Sequence, residues 1–349
     1  AVNTAARAVA HAGGAVDVLV ALAPLPLGDQ LSTSARAVLC DVSSHPSTME
    51  APIEPKLVSF GSRRGAHLEQ LFGLPAFPTE ANVATFAVRA ALNLGADPIV
   101  LLGQDCAFPD GRMYASHCQR DMWRARAVGD EVHLDVDEAL WRLFTDHAIP
   151  ELRRDRQVRM PAWGGESGTT RRDATVPSIP MFARIAESLI GMSDAAPGAR
   201  LINATEGGAH LKGWEDRALA EVLAELPERP HGLHEAIAAA PRFATGEVGR
   251  VRSALTRELK TLARVTEKAL LAKGGARATA FAQVDRAAGA CPLAKSHALR
   301  ELMALERGEA RGREVQSTRT LRRSAQTLLR LLAGKAPDRA GRRRRRERA

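Results

Sequence analysis

The sequence predicts an α/β fold, with a mostly parallel sheet flanked by helices, followed by an all-helical C-terminal region. Three observations carry this. Short apolar, β-branched-rich runs recur between helical patterns up to Asn203, an alternation that builds parallel sheets. One of them, Pro98-Ile99-Val100-Leu101-Leu102, is apolar throughout, as expected of a strand covered on both faces. Beyond Trp214 only helical stripes remain. The chain has 349 residues, enough for about two domains, and its 45% hydrophobic and 26% charged content excludes a wholly disordered protein.

Thr4 to Ala12 reads as a half-helix stopped by Gly13-Gly14. The chain opens on Ala1 rather than Met, which is read as a removed start or a beginning inside a domain. Strands are expected at Val16 to Leu22, Ala37 to Val42, Lys56 to Phe60, Ile99 to Leu102 and Leu201 to Asn203, with Ile99 to Leu102 the best buried. Between them, Val83, Phe86, Ala87, Ala90, Ala91 and Leu94 lie at helical spacing. Asn82 is a good N-cap there and Gly95 a good stop, so Asn82 to Leu94 is a helix. From Gly129 to Arg159 the pattern is amphipathic and charged, with a helix expected at Asp137 to His147. Trp163-Gly164-Gly165-Glu166-Ser167-Gly168-Thr169-Thr170 is a loop of the kind that sits over a site, and Val176-Pro177-Ser178 leads into a helix around Met181 to Ile190.

The α/β part closes near Trp214. Val248, Val251, Leu255, Leu259, Leu262, Val265 and Ala269 then hold one helical stripe, and Val315, Leu321, Ala325, Leu328 and Leu332 another. The expected domains are 1–215 (α/β), 216–335 (helical) and 336–349, a disordered Arg-rich tail.

Charge divides the chain as well. From residue 241 onward there are 27 Lys and Arg against 10 Asp and Glu, and before it 22 against 30. The basic residues fall between stripe positions, so a solvated helix face outweighs a dedicated anionic groove. From Glu247 to Ala349 the only aromatic is Phe281, which leaves nothing for base stacking, and no sequence-specific nucleic-acid partner is expected. No apolar run approaches the ~20 residues of a membrane span, and residues 1–22 lack a secretory signal, so the cytoplasm is the expected compartment. Cys40, Cys106, Cys118 and Cys291 form no C-x-x-C pair and read as ordinary reduced thiols. The histidines show no metal-ligand spacing, and no Walker A run, G-x-S-x-G or H-E-x-x-H occurs.

Three segments are placed for chemistry. Ile99 to Leu102 runs into Gly103-Gln104-Asp105-Cys106, at the carboxyl end of a parallel strand, where ligands bind in open α/β sheets. Asp105 there is equally a capping residue in a turn. Leu201-Ile202-Asn203 runs into Ala204-Thr205-Glu206-Gly207-Gly208-Ala209-His210, and the two glycines allow a turn that aims Glu206 towards Asp105. Two carboxylates in one cleft hold a divalent cation or supply a general base, whereas a solvated loop Glu does neither. Asn82 and Thr85 open a helix whose N-terminus favours phosphate or carboxylate, although an ordinary N-cap accounts for Asn82 as well.

Asn82-Val83-Ala84-Thr85, the stretch from Leu94 to Asp105, Val176-Pro177-Ser178 and the stretch from Ile202 to His210 occur in the order and spacing of one family. The chain resembles the MptE-like and motility accessory factor (Maf) domain over about residues 1–215. The resemblance implies a Rossmann-like, sialyltransferase-like domain and one of two activities. Motility accessory factors are implicated in moving a nonulosonic acid from a CMP donor to Ser or Thr of flagellin, and MptE transfers diphosphate from ATP to 6-hydroxymethyl-dihydropterin. The first is preferred because a helical extension of more than about a hundred residues suits a protein acceptor better than a small pterin. The alternatives are the diphosphokinase, with Mg²⁺, and a non-catalytic nucleotide-binding module. Asp105 and Glu206 are the expected catalytic residues, with Asn82, Thr85, Gly103, Gln104, Asn203, Thr205, Gly207 and Gly208 the expected nucleotide-binding positions. Two departures stand out. By this resemblance the sequence is expected to begin after the family's first strand and G-x-G-P-S turn, and Leu22-Ala23-Pro24 stands where the family tends to place Asp before Pro.

Overall fold

A computed structural model describes residues 1–23, 27–31, 35–42, 44–61, 66–74, 77, 82–118, 120–137, 154–164, 174–226, 233–239, 244–273, 276–291, 294 and 313–333. The expected helix beyond residue 137, the Gly-rich loop beyond Gly164 and the Arg tail lie outside them. The chain divides into two units, 1–58 with 79–238 and 59–78 with 239–349.

The first unit is mixed α/β. Helix α1 (Asn3–His11) leads into β1 (Val18–Ala21), which pairs in parallel with β2 (Ala37–Asp41). Helix α2 (Pro46–Glu50) follows, then β3 (Lys56–Ser59), which completes a three-stranded sheet in the order β1-β2-β3. Ala6, Leu19, Ala21, Val38 and Cys40 fill the core beneath it. Past α3 (Ala66–Phe72), which belongs to the second unit, α4 (Val83–Asn93) starts on Asn82 and precedes β4 (Ile99–Leu101).

A second parallel sheet has the order β11-β10-β4, with β10 (Leu201–Asn203) between β4 and β11 (Glu215–Asp216). Its strand faces alternate between two cores. Ile99, Leu101 and Leu201 pack with Val88 of α4 and with Ala186, Leu189 and Met192 of α5 (Pro180–Ala195). Ile202 and Val100 instead meet Val222 and Leu219 of α6 (Leu219–Glu225). Helices therefore cover both faces, as a continuous apolar strand requires. The best-buried strand is β10 rather than Ile99 to Leu102. All three β10 residues are buried, and β4 lies at the end of the three-stranded order with Leu102 65% exposed. A uniformly apolar run does not distinguish an end strand from a middle one.

Among the described residues the strands form four small sheets instead of one, and two of these are antiparallel. Strands β5 (Arg124–Val128), β6 (Glu131–Asp135) and β7 (Arg154–Arg156) form one. The other joins β8 (Val158–Pro161) to β9 (Thr175–Ser178). In the β5–β6 hairpin, closed by Gly129-Asp130, Val132 and Leu134 are buried and Glu131 and Asp135 are exposed. This two-residue period was present within the stretch read as amphipathic and charged. Phe108, Met113, Trp123, Ala125 and Ile179 complete its core. Helix α7 (Leu233–Ala238) also falls in this first unit.

The second unit is helical among the described residues: α3, α8 (Thr245–Leu271), α9 (Ala276–Gly289) and α10 (Arg313–Leu332). Leu255, Leu259, Leu262 and Ala269 of α8 pack with Phe281, Val284 and Ala288 of α9 and with Leu321 and Ala325 of α10, as the stripes predict. The α8 stripe begins at Val251, however, since Val248 is 45% exposed. Leu68 and Leu71 of α3 join this core from far upstream, a tertiary contact invisible to periodicity. No helix among the described residues is long and apolar enough to cross a membrane.

Leu259 is fully buried, so Leu259→Ala should destabilise the protein by about 2–5 kcal/mol through lost transfer energy and a residual cavity. Val248→Ala should stay within about 0.5 kcal/mol. Urea unfolding of the full chain followed by circular dichroism reads both.

Candidate functional site

The parallel register Ile99↔Leu201 to Leu101↔Asn203 makes the loops after β4 and β10 leave the same sheet edge side by side. They are joined directly. Ala209 N–H donates to the Asp105 carbonyl at 2.8 Å, and Gly208 lies flat against Asp105. A Cβ on Gly208 would stand 2.4 Å from Asp105 O, 2.6 Å from its Cα and 2.7 Å from its Cβ, and φ there is +73°. Only glycine satisfies both the approach and the left-handed backbone. Gly207 has no such demand, since a Cβ there would meet only Pro109 Cγ at 3.9 Å.

Asp105 is half-buried. Burial raises its carboxyl pKa, the charge of Asp110 raises it further, and a backbone hydrogen bond partly opposes them. The neighbouring side chains are engaged locally. Gln104 Nε2 lies 3.6 Å from Cys106 Sγ, and burial pushes the Cys106 thiol up to about 12, which leaves it an inert thiol. All four cysteines are free and buried. Gly103 begins the loop at φ +66° with nothing within 4 Å of a Cβ position, so the backbone turn accounts for it.

Asn203 is fully buried and closes the second loop on itself. Its Nδ2 donates to the Ala209 carbonyl at 3.2 Å, while its Oδ1 accepts from the amide and hydroxyl of Thr205. Glu206 points elsewhere than the sequence suggested. Its Oε1 accepts from Leu219 N–H at 2.9 Å, at the start of α6, where the N-cap Ala218 has no side chain to do so. The two loops thus meet through backbone and Gly208, and the Glu206 carboxylate serves a helix end. Asn82 and Thr85 form a reciprocal capping box on α4: Thr85 N–H donates to Asn82 Oδ1 at 2.8 Å, and Asn82 N–H to Thr85 Oγ1 at 3.1 Å.

Three side chains not singled out in the sequence join this edge: Asp216, together with His210 and Trp163, which lie in segments already placed for chemistry. In the register Asn203↔Asp216, β11 sets Asp216 beside Asn203. The Asp216 carboxylate, 2% exposed, accepts from three donors: His210 Nδ1 at 2.7 Å, Gly164 N–H at 2.8 Å and Asn203 Nδ2 at 3.1 Å. Trp163 Nε1 donates to the Asn203 carbonyl at 2.8 Å, and its backbone N–H to Gly208 O at 3.0 Å. Four segments therefore converge at one sheet edge: residues 103–106, 163–164, 203–210 and 216. A two-residue strand gives no periodic signal, so nothing in the sequence marked Asp216. His210, by contrast, ends the Asn203 to His210 segment and was in view. Among the described residues, no group of three or more His, Cys, Asp or Glu side chains is placed to hold a metal ion.

No family model matches the chain, and no curated protein does. Among solved structures it is similar to one described as a MAf glycosyltransferase from Magnetospirillum magneticum AMB-1, with 14% identity and a TM-score of 0.43 over 95% of this chain and 50% of that one. The chain thus spans about half the length of that protein.

Gly208→Ala should cost about 1–3 kcal/mol, because the added methyl meets Asp105 backbone and the residue holds a positive φ. Gly207→Ala should be nearly neutral by comparison. Thermal denaturation of the two variants distinguishes them, and equal losses would contradict the Gly208–Asp105 contact.

Proposed function

We propose that the α/β unit is a Maf-like glycosyltransferase domain that moves a nonulosonic sugar from a CMP donor to a protein Ser or Thr hydroxyl. The observation that carries this reading is the half-buried Asp105 carboxyl at the shared carboxyl edge of β4 and β10. The motifs of the Maf and MptE-like resemblance, Gly103-Gln104-Asp105 and Asn203 to His210, support it, since they are the loops that meet there.

In this mechanism the acceptor oxygen attacks the anomeric carbon of the donor sugar. The bond from that carbon to the phosphate oxygen breaks, and its electron pair leaves with CMP. The hydroxyl proton passes to the Asp105 carboxylate. Burial suits Asp105 to this task, because a carboxylate with raised proton affinity is the stronger base. Glu206 contributes by holding α6 to the β10 loop through Leu219 N–H. The Asp216 cluster keeps the β10 loop and Trp163 in place behind Asp105. Gly103, Gln104, Thr205, Gly207 and Gly208 line the two loops against which the donor would lie.

Two measurements test the reading. CMP without Mg²⁺ should raise the melting temperature of the full chain, since a ligand bound only by the native state stabilises it. A shift with ATP and Mg²⁺ but none with CMP would favour the diphosphokinase instead.

Asp105→Asn should lower transfer by about 10²–10⁴-fold, the range of general-base catalysis. It should also be more stable than the parent at neutral pH. The folded state raises the Asp105 pKa, so the stability tied to its protonated form is present below the ordinary carboxyl range and lost as pH rises through the raised value. The Asn variant escapes that loss. The difference should close at about pH 3, below the ordinary carboxyl range. Full activity in the variant would exclude Asp105 as the base.

A further inference from the structure

The second unit carries 29 Lys and Arg against 11 Asp and Glu, and the first 20 against 29. Part of that excess is ordered along one helix face. Helix α8 turns Leu255, Leu259, Leu262 and Ala269 inward. On the opposite side Arg257, Lys260, Arg264 and Lys268 are all exposed, separated by three or four residues, with exposed Thr261 among them. At 1.5 Å per residue these cations stand ~4.5–6 Å apart along a row of ~16 Å. No ion pair occupies any of the four among the described residues, and the one acidic residue bordering their face, exposed Glu267, is paired with Arg322. The α8 acids are used elsewhere: Glu258 faces His67 at 3.1 Å, Glu267 accepts from Arg322 at 2.9 Å, and Glu247 caps the helix start. Helix α10 also exposes Arg319, Arg323 and Arg330, with Gln326 between the last two.

We infer that this face of α8 docks on the phosphate backbone of double-stranded DNA without reading its sequence. Other partners fit the row less well. A stable protein interface needs an apolar or aromatic centre, and the row has none between Arg257 and Lys268. A single strand needs aromatic platforms for its bases, and a membrane-surface helix needs an apolar face to insert, whereas the apolar face of α8 is spent on the core. A duplex demands only positive charge at short, regular intervals. Over ~16 Å of axis one of its strands presents about five phosphates.

The test is fluorescence anisotropy of the full chain with a mixed-sequence duplex of about 20 base pairs, from 50 to 300 mM salt. It compares the parent with a variant carrying Arg257→Gln, Lys260→Gln, Arg264→Gln and Lys268→Gln, whose fold is checked by circular dichroism. A second variant replaces each of Arg342 to Arg346 with Gln and isolates the tail. Each phosphate neutralised contributes about −0.9 to the slope of log K against log salt. The α8 variant should therefore bind at least about tenfold more weakly and lose about 3–4 from the slope, and the same α8 changes should have this effect when added to the tail variant. An unchanged slope in the α8 variant overturns the inference, as does absence of duplex binding by the parent at 50 mM salt. Tighter binding to a single strand of equal length, or to vesicles containing anionic lipid, overturns it too.

Discussion

The Asp216 carboxylate is the interaction on which the strand-end cluster depends. A buried carboxylate is costly unless several donors surround it, and Asp216 has three from two segments: Gly164 N–H from one, and Asn203 Nδ2 and His210 Nδ1 from the two ends of the β10 loop. Because these donors span both ends of the β10 loop and the segment after β8, one side chain fixes the relative positions of 163–164, 203 and 210. Removing it would leave three buried donors facing an empty acceptor, a larger loss than any single hydrogen bond.

From that fixed cluster the rest of the site follows. Trp163 is tied to Asn203 O and Gly208 O, which holds the segment after β8 against the β10 loop. Gly208 then presses on Asp105, and Ala209 N–H binds the Asp105 carbonyl, so the Asp105 backbone has no freedom to turn away. The raised pKa of Asp105 is a consequence of this packing: the loops that hold it also desolvate it. Glu206, at φ +59°, lies in the turn before Gly208 and spends its carboxylate on α6, so Asp105 and Glu206, one from each loop, have different physical roles.

Much of this was legible in the sequence. The five apolar runs read as strands are strands, Asn82 to Leu94 is a helix with the expected cap, and the stripes through Leu255, Leu262, Leu321 and Ala325 are core. Those elements are long or strongly patterned enough for local rules to decide them. The β5–β6 hairpin escaped because its charged residues drew attention away from the alternation of Val132 and Leu134. The meeting of the β4 and β10 loops was expected from their place at the carboxyl ends of parallel strands, but the direction of the Glu206 carboxylate was not. It depends on Leu219 N–H, thirteen residues away in another element. Asp216 had no local signature at all, since its role comes from strand register with Asn203. The charge asymmetry was visible as a count, while the unpaired row on α8 needed the positions of Glu258 and Glu267.

The most direct measurement is the protonation of the two His210 ring nitrogens, read by ¹⁵N NMR on the full chain with labelled histidine and assigned by subtraction of a His210→Gln spectrum. A carboxylate that accepts from Gly164 N–H can only accept from the ring as well, so Nδ1 must carry the proton. The account predicts that Nδ1 carries a proton donated to Asp216. A bare Nδ1 with the proton on Nε2 would contradict the His210–Asp216 bond and, with it, the clamp that ties Gly164 and both ends of the β10 loop to Asp216.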